Sequence, residues 1–160
     1  GRRTKMFDPG LVVDLLPAIT FLEDSLARAG LIAGPELSPR QEHDVNLGWN
    51  VAKEIARLDV GQTIVIKNGT IVAVEALEGT NEAIKRGGAL AREGAVMVKV
   101  SKPNQDMRFD VPIIGVETVR IAVESGVRVI AVEAKKTLLL ERDAVVECAE
   151  RSKMSLIARH

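Results

Sequence analysis

From Ala95 onward the chain alternates between two periodicities, and this alternation limits its folds most tightly. Ala95–Val100 is a β-rich run, and Gly115–Ser125 has helical spacing ended by Gly126. Val127–Val132 is again β-rich, Glu141–Arg151 helical and Met154–Ala158 β-rich. A β-α-β-α-β series requires crossover connections, hence a largely parallel sheet with helices packed on its faces. Upstream, Gln62–Lys67 and Thr70–Leu77 flank Asn68-Gly69, the dipeptide that best signals a two-residue hairpin. A helix is then predicted from Thr80 through Ala83, Ile84, Leu90 and Ala91, closed by Gly94. The expected class is α/β: a mixed, mainly parallel sheet with flanking helices and one β-hairpin, in one domain over residues 1–160.

Before the hairpin, Ser38-Pro39-Arg40-Gln41 has the pattern of a capping box with Pro at the first helical position. Val45, Trp49, Ala52 and Ala56 follow at helical spacing, which turns Trp49 inward, and the helix should end near Asp59 and Gly61. Leu31-Ile32-Ala33 is a short strand candidate. Asp8-Pro9 opens an earlier helical pattern through Leu11, Leu15, Leu16, Ile19, Leu22, Leu26 and Ala29 to Gly30, with a kink at Pro17. Gly87-Gly88 inside the Thr80 helix has two readings, close helix–strand packing or a backbone approached by ligand.

Composition removes several function classes. The 22 Lys+Arg residues balance 22 Asp+Glu, so the charge surplus of a dedicated nucleic-acid binder is missing. Aromatics are 2% of the chain, too few for base-stacking platforms, so the core must be aliphatic. Cys148 is the only cysteine, which excludes an intrachain disulfide or a cysteine-rich metal site and fits a reducing compartment. No run approaches the roughly 18 apolar residues of a membrane span. The opening Gly1-Arg2-Arg3 lacks an initiator Met, and a piece of a longer protein is expected.

Ligands of open α/β sheets bind beyond the carboxyl ends of the strands. Three such ends carry polar residues: Glu78-Gly79-Thr80-Asn81, the run from Ser101 to Pro112, and Glu133-Ala134-Lys135-Lys136-Thr137. In the middle run Asp106, Arg108 and Asp110 alternate with Met107, Phe109 and Val111. If extended, three charged groups fall on one side about 6–7 Å apart. Two carboxylates beside an arginine suit a divalent cation with a phosphate, and equally a solvated loop with a local ion pair. Thr80 fits a helix N-cap. Lys135-Lys136-Thr137 lacks the glycines of a P-loop, and His43 reads as a surface residue and Cys148 as a core residue. With no nucleophile motif present, metal-assisted hydrolysis fits these residue types better than covalent catalysis.

Five stretches carry a family resemblance: Leu58–Thr63, Ala73–Thr80, Arg86–Ala89, Lys102–Pro112 and Lys136–Leu140. In this order they resemble the C-terminal domain of the LpxI-type UDP-2,3-diacylglucosamine pyrophosphatases, most specifically over Lys102–Pro112. The resemblance implies a hydrolase of lipid A biosynthesis in Gram-negative bacteria. It would cleave UDP-2,3-diacylglucosamine to UMP and 2,3-diacylglucosamine 1-phosphate (lipid X) with Mg²⁺, water attacking the phosphorus on the sugar side. It also implies an N-terminal domain absent from these residues, with ligand held between the two domains.

Carried onto this sequence, the resemblance makes Asp110 the catalytic carboxylate, Asp106 and Asp110 the metal ligands, and Arg108 and Lys102 the stabilisers of phosphate charge. Glu78, Gly79, Thr80, Gly87, Gly88, Lys99, Gln105, Lys136 and Thr137 would bind substrate. Asn81 stands where the family pattern has Asp, which weakens a metal role there. Lys135 stands where it has Gly, which alters a phosphate-binding turn. The expected partners are the lipid-linked nucleotide sugar, the N-terminal domain, a possible second copy in a homodimer and, transiently, the inner-membrane surface, with no nucleic acid. The expected location is cytoplasmic and peripheral on the inner face of that membrane. Leu138-Leu139-Leu140 and Leu15-Leu16 are candidates for acyl contact or for the core. The alternative is a non-catalytic phospho-ligand-binding or interaction module.

Overall fold

Side chains alternate between the two faces of a strand, and here both faces are apolar, so the sheet has to be covered on both sides. The computed structural model describes residues 23–104, 106 and 110–160. The sheet is built from β1 (Gly30–Ala33), β2 (Thr63–Lys67), β3 (Thr70–Val74), β4 (Ala95–Lys99), β6 (Val127–Glu133) and β8 (Ser155–Arg159), in the spatial order β1-β8-β6-β4-β2-β3. Two further short strands, β5 (Ile113–Ile114) and β7 (Leu138–Leu139), pair with each other in parallel. The helices are α1 (Pro39–Arg57), α2 (Thr80–Ala91), α3 (Val116–Glu124) and α4 (Arg142–Arg151).

On one face, Ile64, Ile66, Val96, Val98, Val129 and Ala131 pack with Val45, Ala52 and Ala56 of α1. On the other, Val65, Met97, Ile130 and Leu156 pack with Ile84 of α2, Val119 and Ala122 of α3 and Val145 and Ala149 of α4. The result is three layers with the helices split one against three.

The α/β class holds, and the sheet is mixed rather than mainly parallel. Only the centre, β4-β6-β8, is parallel, as the crossover helices demand. β2 runs antiparallel to β4, β3 to β2, and β1 to β8. The Asn68-Gly69 hairpin reverses one edge, with φ values of 49° and 75° suited to a two-residue primed turn. The Asp44 carboxylate of α1 receives the turn's two N–H groups, from Asn68 at 2.9 Å and Gly69 at 2.7 Å.

The capping box of α1 is present: Gln41 N–H donates to Ser38 Oγ, and Ser38 N–H to Gln41 Oε1. Trp49 is half-buried against the α1-side core, with the Lys53 ammonium 5.6 Å from its ring centre. The expected helix up to Gly30 is corrected where it can be followed. Glu23–Ser25 form one 3-10 turn, Leu26 bridges to Leu138, and Gly30 begins β1. Hydrogen bonding explains this, because Ala27 N–H is taken by the Thr137 carbonyl at 2.8 Å rather than by a helical turn. The pattern from Asp8 to Leu22, Leu15-Leu16 included, lies outside the described residues.

Gly87 and Gly88 are accounted for by packing. A Cβ on Gly87 would sit 2.6 Å from Cβ of Val65, and one on Gly88 would strike the Ser125 carbonyl at the end of α3. Both are buried.

Candidate functional site

The parity of the parallel strands decides which polar groups meet at their carboxyl ends. In β4, Lys99 shares a face with Ala95 and Met97, toward α2. In β6, Glu133 shares a face with Val129 and Ala131, toward α1. Each is a charged residue at a position the alternation would fill with a hydrophobe, and each is buried. Burying a charge is costly unless it is paired or hydrogen-bonded.

Glu133 has its partners. Its Oε1 takes the ammonium groups of Lys53 at 2.7 Å and Lys136 at 3.0 Å. Its Oε2 takes Ser101 N–H at 2.8 Å and Ser101 O–H at 2.6 Å. Burial pushes its pKa up, but the bonds from Lys53, Ser101 and Lys136 outweigh that and bring it from 4.5 to about 2. A carboxylate so firmly ionised, with its lone pairs engaged, is a poor proton acceptor. It acts as a clamp on Ser101, where the polar loop after β4 begins. The far end of that loop is held as well, since Leu138 N–H of β7 donates to the Pro112 carbonyl at 2.8 Å.

On the α2 side, Lys99 Nζ donates to Thr80 Oγ1 at 2.9 Å, and Thr80 O–H donates to Glu75 Oε1 at 2.8 Å. Burial lowers the Lys99 pKa, opposed by the nearby charges of Glu75 and Asp110. Thr80 is therefore not the N-cap of α2. Gly79 takes that position, and the Thr80 hydroxyl is spent on the polar cluster instead.

A hollow of about 340 Å³ is lined by Ala56, Arg57, Asp59, Lys102, Pro103, Asn104, Asp106 and Asp110. Lys102 Nζ donates to Asp59 at 2.7 Å. That bond, with the charges of Asp59, Asp110 and Glu75, raises the Lys102 pKa against the effect of partial burial. Asp106 and Asp110 are exposed at the mouth, and Asp110 N–H donates to the Asp106 carbonyl at 2.9 Å. Among the described residues no cluster of three or more His, Cys, Asp or Glu side chains could hold a metal. The donor set fits a hard cation that keeps its waters and shares a ligand's phosphate, held through one or two carboxylates, rather than an all-protein cage. A larger hollow of about 490 Å³ lies at the opposite edge beside Pro39, His43 and Asn68, where the buried carboxylate of Asp44 is spent on the hairpin turn.

The structure thus gathers Thr80, Lys99, Lys102, Asp106 and Asp110 at one edge, with Lys136 close by on Glu133. Glu78 is drawn aside: Arg86 holds its carboxylate at 2.5 Å and, with Ala76 N–H, keeps its pKa below the usual value. Thr137 is fully buried, and its hydroxyl has no partner among the described residues. Leu138 and Leu139 belong to the core, while Leu140 is exposed. Gln105 and Arg108 lie outside the described residues. Glu75, Asp59 and Lys53 are participants that the strand-end survey passed over. The signal for Glu75 was its parity with buried Ala73.

The family model for the LpxI C-terminal domain matches residues 28–157. The UDP-2,3-diacylglucosamine pyrophosphatase LpxI of Caulobacter vibrioides is 38% identical over 125 residues, covering 72% of this chain and 45% of the relative. The chain therefore spans less than half the length of that curated relative.

Proposed function

The chain belongs to the LpxI family through its C-terminal domain, and from that premise we propose that it supplies the hydrolytic half of a UDP-2,3-diacylglucosamine pyrophosphatase acting in lipid A biosynthesis. The observation that carries this reading is the meeting of Lys99, Lys102, Asp106 and Asp110 at the carboxyl edge of the parallel strands, beside an open hollow. Cations to hold phosphate oxygens and a solvent-facing carboxylate to handle water are what hydrolysis of a diphosphate needs.

In the proposed step, a water oxygen bonds to the phosphorus on the sugar side. The bond from that phosphorus to the bridging oxygen breaks, and its electron pair leaves with UMP. Asp110 orients the water and takes its proton, which then passes to solvent. Lys99 and Lys102 face the phosphate oxygens. Asp106 and Asp110 are the residues that would hold Mg²⁺, which when bound neutralises phosphate charge. Arg108 and Gln105 keep their proposed contacts with phosphate and substrate.

Leu58, Val60 and Leu77 are exposed beside Asp59 and Glu78 at the same edge, a place for acyl chains or for the surface of the membrane that carries them. Among the described residues no helix is long and apolar enough to cross a membrane. A site walled by a second, N-terminal domain is part of the same proposal, as is location on the inner face of the inner membrane.

The test is UMP release from UDP-2,3-diacylglucosamine by the full-length protein, in Mg²⁺ and in EDTA. Release in Mg²⁺ that falls to background in EDTA is expected. No release under either condition contradicts the reading, and equal release in EDTA contradicts its metal.

A further inference from the structure

Lys99 is 7% exposed and forms no ion pair among the described residues, and the one hydrogen bond its ammonium makes there goes to Thr80. An ammonium carries three N–H groups, so two remain unspent in a site where desolvation is expensive. The bond to Thr80 has a fixed direction. A carboxylate only accepts, so the single Thr80 hydroxyl proton is committed to Glu75 Oε1. Its lone pairs are thereby turned toward Lys99, with the Thr63 hydroxyl more distant at 3.5 Å. Glu75 is itself 7% exposed, and its other oxygen takes Gln62 N–H at 3.3 Å.

We infer that Glu75 is a positioning residue: through the Thr80 hydroxyl it aims the Lys99 ammonium, so that the two remaining N–H groups meet the non-bridging oxygens of a diphosphate. The inference rests on the proposal that this edge binds such a group. Glu75 touches no ligand in this account. Its carboxylate also balances the Lys99 charge, consistent with the upward pull it exerts against burial.

The test is a double-mutant cycle in the full-length protein with Glu75→Gln, Thr80→Val and the pair combined, plus Thr80→Ser. Two readouts are taken: kcat and KM on UDP-2,3-diacylglucosamine, and calorimetric binding of inorganic pyrophosphate. Each single change should lower kcat about 10–100-fold, the range for losing a hydrogen bond to a charged group. KM should rise in step with the loss of pyrophosphate affinity. The combined variant should be no worse than the poorer single one, because both break one chain. Thr80→Ser, which keeps the hydroxyl, should stay near wild type. Pyrophosphate affinity should fall about tenfold or more, with the same non-additive pattern.

Additive losses, or a Thr80→Ser variant as poor as Thr80→Val, overturn the inference. Wild-type protein that binds pyrophosphate with this pattern but does not hydrolyse the lipid overturns the proposed activity and leaves the relay standing. Hydrolysis with additive losses does the reverse, and protein that neither binds nor hydrolyses overturns both.

Discussion

Asp110→Asn in the full-length protein is expected to lower turnover of UDP-2,3-diacylglucosamine by roughly 10²–10⁴-fold, the contribution typical of a positioned proton acceptor. The substitution keeps the shape of the side chain and removes both its charge and its affinity for a proton. The fold should not register the change. Asp110 is exposed, and the hydrogen bond it makes to the Asp106 carbonyl comes from its backbone N–H. Exposed substitutions of this kind stay within about 0.5 kcal/mol. KM should hold or rise, since Asp110 is also one of the two carboxylates proposed to hold the cation that neutralises the diphosphate. Steady-state kinetics with a parallel melting curve separates these effects. Retained turnover would take the catalytic role away from Asp110, with Asp106 and Asp59 in the same hollow as the carboxylates left to carry it.

Glu133→Gln should have the largest effect on stability. The amide carries no charge for Lys53 and Lys136, and its NH₂ cannot accept from both Ser101 donors. The folded pKa of about 2 lies below the ordinary 4.5. The stabilisation is therefore complete above pH 4.5 and is lost as pH falls toward 2. A shift of this size corresponds to about 3 kcal/mol. Urea unfolding should show wild type weakening over that window while Glu133→Gln, already weaker by a similar amount at pH 7, stays flatter. The two curves then converge near pH 2. Parallel curves would mean that Glu133 is not the titrating group. The loop bearing Asp110 begins at Ser101, so this variant should also turn over more slowly.

How much was legible follows from where each signal resides. The parallel centre could be read because each of its elements is local: Met97 and Val98, or Ile130 and Ala131, announce a buried strand by themselves. The antiparallel edge at β1 could not, since its direction is set by pairing with β8, more than a hundred residues away. Two-residue strands such as Ile113–Ile114 show no period at all, yet they fix the end of the polar loop after β4. Among site residues, Lys102, Asp106 and Asp110 stood out as a polar run after a strand. Glu75, Lys99 and Glu133 are single charges inside apolar runs, and their meaning depends on which face each strand presents. Thr80 looked like a cap because its position beside Gly79 is cap-like, and only the Glu75 carboxylate three-dimensionally at hand redirects its hydroxyl.

The central claim is hydrolysis of a diphosphate by water at the phosphorus on the sugar side. Its most direct test is turnover of UDP-2,3-diacylglucosamine by the full-length protein in ¹⁸O-labelled water, with both products weighed by mass spectrometry. The account predicts one ¹⁸O atom in 2,3-diacylglucosamine 1-phosphate and none in UMP. Label in UMP instead would put the attack on the other phosphorus and contradict the proposed step, and the absence of both products would contradict the activity itself.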